Sequence, residues 1–267
     1  MRPIHRPHLR DQSVTRLVPN ILTLMALCAG LSGIRFALAG EWQSAVVAIM
    51  VAAVLDGLDG RIARLLHGTS RFGAELDSLS DFVSFGVAPA LILYQWTMHE
   101  ARGIGWSLAL VYAVCCALRL ARFNTRVDNA DLPAWRSRFF VGVPAPAAAG
   151  LVLMPMYASF EFGPGLADSP IMVGLVMSAV AVLMVSRLPT LSITKVRVPH
   201  RHVMPMLLGV AALAAFLIGV PWLTLMTLGV VYLVSLPLGR RAYLRLERQG
   251  KPMPSRDVAE PGDLSVN

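Results

Sequence analysis

The chain has 267 residues, 55% of them hydrophobic and only 15% charged, with a formal net charge of +8. A mean hydropathy of +0.60 and a charged fraction well below the roughly 25% of soluble domains exclude an ordinary soluble domain and indicate a polytopic membrane protein. The three cysteines, Cys28, Cys115 and Cys116, lie in apolar stretches and provide no disulfide framework, and no basic run is interleaved with aromatics, so the positive charge does not call for nucleic acid.

In chain order, residues 1–16 form a basic segment, and the first apolar run after them is long enough to span rather than to serve as a cleavable signal. Eight apolar spans follow: Leu17 to Leu38, Gln43 to Leu58, Leu76 to Trp96, Ile104 to Leu120, Phe140 to Phe160, Ile171 to Val185, Val203 to Val220, and Trp222 to Leu238. Several are short for a bilayer core of about 30 Å. The last two are separated only by the Val220-Pro221 corner and predict a tight hairpin. From Gly250 the chain is polar and Pro-rich, which predicts disorder.

Charge placement sets the expected topology. With the N-terminus in the cytoplasm, all of the 24 Lys and Arg residues except Arg35 and Arg102 fall on the cytoplasmic side. This positive-inside bias supports an even number of spans and two cytoplasmic termini. The expectation is an all-α bundle of about eight transmembrane helices. It divides into a basic N-terminal segment (1–16), a membrane core (17–160), additional helices (161–238) and a cytoplasmic, disordered tail (239–267). The setting is a multi-pass protein of a bacterial-type inner membrane.

Four aspartates interrupt this apolar pattern. Asp56 and Asp59 are three apart at the cytoplasmic end of the second span, so they share a helix face. Asp77 and Asp81 are four apart at the start of the third, again on one face, with Gly73 four residues before Asp77 and Glu75 off that face. Antiparallel packing of the two spans would join the pairs into one cluster. Carboxylates at membrane depth are costly, and four together raise one another's pKa unless a cation intervenes. Hard divalent ions take oxygen ligands, and two of them can serve displacement at phosphorus. Gly57, Gly60 and Gly73 would open the backbone to a bulky ligand. Arg64 and Arg71 could hold a diphosphate. A lone intramembrane Asp can be a packing contact, and a pair can be an ion site of a transporter. Here the cluster lies near one membrane face, and no inverted repeat is visible. His67, His200 and His202 have no zinc-like spacing and read as surface residues.

The run from Asp56 to Asp81 has the form D-x2-D-G-x2-A-R-x8-G-x3-D-x3-D. Asp56, Asp59, Gly60, Ala63, Arg64, Gly73, Asp77 and Asp81 occupy its fixed positions. It resembles the signature of the CDP-alcohol phosphotransferase family, integral membrane enzymes that move a substituted phosphate from a CDP-linked donor to an alcohol and release CMP. Four further segments resemble the phosphatidylserine synthase branch: Pro19-Asn20-Ile-Leu-Thr23, Arg71 to Leu79, Ala117 to Asn124 and Phe140 to Pro146. The likeness covers roughly Arg16 to Gly150.

The resemblance implies transfer of the phosphatidyl group from CDP-diacylglycerol to L-serine at a site facing the cytoplasm. It implies two divalent cations, Mg2+ or Mn2+, on Asp56, Asp59 and Asp77 with Asp81 contributing, and Asp81 as the general base. Gly60, Ala63, Arg64, Gly73 and Arg71, with Asn20 and Thr23, would serve CDP-diacylglycerol. Arg119, Arg122 and Asn124 would serve serine. The prolines after Phe140 would bend or open the fifth span early. Membrane lipid surrounds the protein, nucleic acid is no partner, and the resemblance favours a homodimer. Sister enzymes using glycerol phosphate, inositol phosphate or choline, and a cation-coupled transporter, are the rival expectations.

Overall fold

A computed structural model describes residues 17–66, 70–127, 139–186, 189–191 and 203–248. The basic N-terminal segment, His67, His200, His202 and the last residues of the tail lie outside that set. Ten α-helices make up nearly all of the described chain: α1 (Leu17–Leu38), α2 (Trp42–Leu65), α3 (Arg71–Asp81), α4 (Ala88–Trp96), α5 (Arg102–Val127), α6 (Ala145–Val152), α7 (Met154–Phe162), α8 (Pro170–Val185), α9 (Val203–Gly219) and α10 (Pro221–Arg248). A π-helical turn, Phe82–Val87, links α3 to α4, so the two form one continuous helical rod.

Four helical segments are long and apolar enough to cross a membrane: Leu17–Leu38, Arg71–Trp96, Met98–Thr125 and Pro221–Gly239. Pro170–Val185 and Met204–Gly219 are equally apolar but shorter. The chain is thus a helical membrane protein. The second expected span is a longer helix than its apolar run, because α2 continues past Leu58 through the charged residues to Leu65.

The fifth expected span begins later and is broken. Phe139–Val141 is extended and pairs antiparallel with Pro189–Leu191, with Phe140 opposite Thr190. Gly142 follows at φ +82, a left-handed conformation open to glycine at little cost. Helix α6 starts only after Pro144, with Pro146 in its first turn. It halts at Leu153, and α7 starts next to Pro155. Proline lacks an N–H and disfavours helical backbone in the residue before it, so it belongs at the start of a helix and not within one. The extended residues form a short ladder on an otherwise helical frame. Toward the other end, α10 continues through Pro237 to Arg248, past the expected start of the tail.

The core lies between α2, α4, α5, α6, α7 and α8. Ala45, Val46, Ile49, Phe85, Ile92, Tyr112, Ala148, Val152, Tyr157, Met177 and Met184 are among its fully covered side chains. Small residues at Ala45, Ala52, Ala88, Ala148 and Ala149 let the helices approach closely, as membrane packing favours. The outer surface is apolar instead of charged, with α9 exposed along its length from Met204 to Gly219. That inversion suits a lipid surround.

Helix α1 is the spine of the N-terminal half. It packs along α2 and also meets α3, the π-helical turn and α4. Direct contact between α2 and α3 is slight. The third expected span meets α2 through the π-helical turn and α4, as expected, and α1 runs along both α2 and α3.

Candidate active site

Helix α3 begins at Ser70, whose hydroxyl accepts the Gly73 N–H at 2.9 Å. This N-cap satisfies one donor of the first turn and starts the helix early enough to set Asp77 on its second turn. Two serines then hold α3 and the π-helical turn against α1. Ser80 Oγ donates to the Thr23 carbonyl at 3.1 Å, and Ser84 Oγ to the Ala26 carbonyl at 3.3 Å. Gly30 permits this approach, since a Cβ there would sit 2.8 Å from Ser84 Cα. Opposite, Tyr112 of α5 donates to the Phe85 carbonyl at 3.1 Å. The wider π-helical turn leaves carbonyls out of the ordinary ladder, and such turns recur at functional sites.

These anchors bring the aspartates together. One carboxylate oxygen from each of Asp56, Asp59 and Asp77 lies within 4.8 Å of the other two. Asp81 stands beside them, with its carboxyl group within hydrogen-bonding reach of Asp56. Its Oδ1 is buried and has no hydrogen-bond partner. Asp59 is only 4% exposed, and its Oδ2 accepts a 2.7 Å hydrogen bond from Thr23 Oγ1. Thr23 is itself 5% exposed and sits one turn after Pro19, whose carbonyl its hydroxyl also reaches at 3.0 Å.

Three converging carboxylates and a fourth with one unpartnered oxygen are an all-oxygen donor set suited to a hard divalent cation. Without one, the cation that acts against their mutual repulsion among the described residues is Arg119. Arg119 is half-buried on α5 and acts electrostatically on both Asp81 and Asp56. Asp56, Asp59, Asp77 and Asp81 therefore fit a divalent metal. When bound, such an ion stabilises negative charge on the oxygens of a transferring phosphoryl group.

The remaining expected residues are placed as follows. A Cβ on Gly57 or Gly60 would meet nothing within 4 Å, so this face of α2 opens onto free space beside the carboxylates. Ala63 follows on the same helix. Arg64 is exposed and folds back to its own helix, with Nε donating to the Gly60 carbonyl at 2.9 Å. Arg71 is exposed in the first turn of α3. Gly73 does something other than open the backbone: a Cβ there would lie 2.8 Å from Asn20 Oδ1. The glycine thus admits the Asn20 amide, and α1 covers that spot.

The three residues expected to hold serine diverge. Arg119 turns toward the carboxylates, with its guanidinium 5.8 Å from the Phe123 ring centroid. Arg122 caps the end of α8, donating to the carbonyls of Val185 at 2.9 Å and Ser186 at 3.2 Å. Gly142 lies against the carbonyls of Met184 and Ser186, which leaves no room for a Cβ. Asn124 donates to Ser78 Oγ at 2.9 Å and so ties α5 to α3 beside Asp77.

The arrangement matches a known family along most of its length. The family model for CDP-alcohol phosphatidyltransferases covers residues 16–240. The chain belongs to the CDP-alcohol phosphatidyltransferase family. Among its relatives, the CDP-diacylglycerol--serine O-phosphatidyltransferase of Mycobacterium leprae is 41% identical over 210 residues, 79% of this chain and 70% of that protein. The protein of the same name from Bacillus subtilis is 34% identical over 183 residues, 68% of this chain and 90% of its own length. The archaetidylserine synthase of Methanothermobacter thermautotrophicus is 30% identical, over 67% of this chain and 72% of its own.

Not every functional contact in this family member is visible in its motif. Thr23, Ser80 and Ser84 orient the site, and their signal in the sequence is polar residues recurring within apolar helices at helical spacing. Tyr112 carries no such pattern, because it is one aromatic among many apolar neighbours.

Proposed function

We propose that this chain is an integral membrane phosphatidyltransferase that transfers the phosphatidyl group from CDP-diacylglycerol to L-serine, giving phosphatidylserine and CMP. The convergence of Asp56, Asp59 and Asp77, with Asp81 beside them, carries the chemistry. The names of the relatives carry the choice of acceptor.

Asp56, Asp59, Asp77 and Asp81 would hold two divalent cations, Mg2+ or Mn2+. Gly57 and Gly60 leave open space beside them for the diphosphate, with Ala63, Arg64 and Arg71 along its approach. Thr23 fixes the rotamer of Asp59, and Asn20 lines the joint between α1 and α3. Asp81 accepts the proton of the serine hydroxyl. The serine oxygen forms a bond to the phosphorus that bears diacylglycerol. The bond from that phosphorus to the bridging diphosphate oxygen breaks, and its electron pair leaves on CMP. Arg119 provides the fixed positive charge next to Asp81. Arg122 and Asn124 hold α5 against α8 and α3 and keep Arg119 in place.

The basic residues support a topology of about eight spans with both termini and the site on the cytoplasmic face of an inner membrane. There, serine and CMP exchange with the cytosol. A homodimer follows from the family resemblance alone.

The deciding experiment supplies purified protein in vesicles with CDP-diacylglycerol, a divalent salt and one acceptor at a time. L-serine should release CMP stoichiometrically with phosphatidylserine. CMP release with glycerol phosphate, inositol phosphate or choline, and none with serine, makes this a sister enzyme. Substrate movement across the vesicle without CMP makes it a transporter.

A further inference from the structure

Helix α10 is seated closely on α7. Its Gly229 faces Met154, where a Cβ would lie 2.9 Å from the thioether sulfur. Trp222 at its start stacks on Tyr157, with ring centroids 6.4 Å apart, and meets Phe160 edge-on at 4.8 Å. Helix α8 packs instead on α5 and α6. Among the described residues, direct contact between α8 and α10 is slight. A cavity of about 480 Å3 lies between them, against α7.

Its wall includes Met154 and Ala158 of α7, Leu233 of α10 and one stripe of α8. Met172, Val176, Ala179 and Leu183 recur at helical spacing and form that stripe. No polar side chain contributes to the wall among the described residues. Leu166, in the turn before α8, and Leu233 are wall residues that are also exposed, so the slot opens to the outer surface. Ile171, Leu175 and Val182 of α8 are exposed beside it, on the apolar surface that faces lipid. The slot continues that surface inward.

Water is a poor occupant, because apolar cavities stay dry and take apolar ligands. Left empty, the slot would forfeit the dispersion contacts of its whole wall. The bilayer supplies hydrocarbon at its opening. At about 1.5 Å of rise per residue, the stripe from Met172 to Leu183 is about 16 Å long, close to one leaflet of a hydrocarbon core of about 30 Å. The slot is also set apart from the reacting lipid. The carboxylates lie on α2 and α3, and neither helix gives the wall a residue.

We propose that this slot binds one acyl chain of a bilayer phospholipid that is not being converted, and that this lipid joins α10 to α8. The inference does not depend on which acceptor the enzyme uses. It gives the last helix a partner that the protein chain alone does not supply.

The test counts phospholipid per chain by native mass spectrometry, after purification in a detergent that strips the surrounding bilayer. The parent protein should keep one phospholipid. Ala179→Phe puts a ring into the slot and should lower that occupancy about tenfold, as for overpacking a filled site. Val182→Phe adds the same ring on the exposed face of α8, outside the slot, and should keep the lipid. Phosphatidylglycerol returned to stripped protein should raise the thermal midpoint of the parent and of Val182→Phe, but not of Ala179→Phe. A parent protein that keeps no phospholipid, or equal occupancy in the two variants, overturns the site. Two rival occupants leave signatures of their own, and either one overturns the proposal. If a chain of CDP-diacylglycerol fills the slot, that substrate displaces the retained phospholipid and its KM rises in Ala179→Phe alone. If a second copy of the protein fills it, Ala179→Phe breaks an oligomer that Val182→Phe keeps, and no lipid is lost. Where Ala179→Phe does not fold, Ala158→Leu fills the slot from α7 and is read by the same counts.

Discussion

A carboxylate serves a cation only if its lone pairs point at the ion, and Asp59 is aimed by one hydroxyl. Thr23 Oγ1 lies 2.7 Å from Asp59 Oδ2, with both residues almost fully covered. Hydrogen bonds to charged groups contribute about 1.5–3 kcal/mol. Thr23→Val keeps the shape of the side chain and removes the donor. It should lower kcat/KM about tenfold and raise the divalent concentration needed for half-maximal rate, while Thr23→Ser restores most of both. An unaltered divalent requirement in the valine variant would show that Asp59 needs no such aim. Gly73 also has a defined partner, since its missing Cβ makes room for the Asn20 amide. The motif spacing identified Gly73, but only the neighbouring helix says what the glycine is for.

At the scale of elements, the site depends on where α3 ends. The π-helical turn after Asp81 changes the helical register, and the partners that hold it come from other helices: Ala26 on α1 receives Ser84, and Phe85 is held by Tyr112 on α5. Tyr112 is fully buried, so Tyr112→Phe leaves the Phe85 carbonyl without that donor. The expected loss is about 1–2 kcal/mol of stability, read as a lower thermal midpoint in detergent, with activity falling as the Asp81 register relaxes. A midpoint equal to that of the parent protein would mean the turn holds itself. Prolines act with equal force on the fifth span. Pro144 and Pro146 were visible in the chain as helix punctuation, yet the break at Pro155 and the pairing of Phe139–Val141 with Pro189–Leu191 were not. Three-residue strands leave no periodic signal, and their partner lies beyond an intervening pair of helices and α8.

Across the whole molecule, four carboxylates destabilise the fold that gathers them unless a cation binds. Added Mg2+ or Mn2+ should therefore raise the thermal midpoint, since a ligand bound only by the folded state stabilises it by about 2.7 kcal/mol at a hundredfold excess over Kd. A chelator should reverse the gain and stop CMP release. Asp81→Asn separates the two roles: it should retain most of the divalent-induced rise, held by Asp56, Asp59 and Asp77, and lose turnover. Full turnover in that variant would remove Asp81 as the base. Hydropathy, charge bias and the spacing of a motif are properties of the chain read locally, and they made the helical membrane class, the family and the four aspartates legible. They also marked the extra helices without giving them work. Packing between helices settled that α1 runs along both α2 and α3, that Thr23 aims Asp59, and that Arg122 holds the end of α8. These contacts join residues far apart in the chain, and their partners are fixed by how helices pack, which no local pattern encodes.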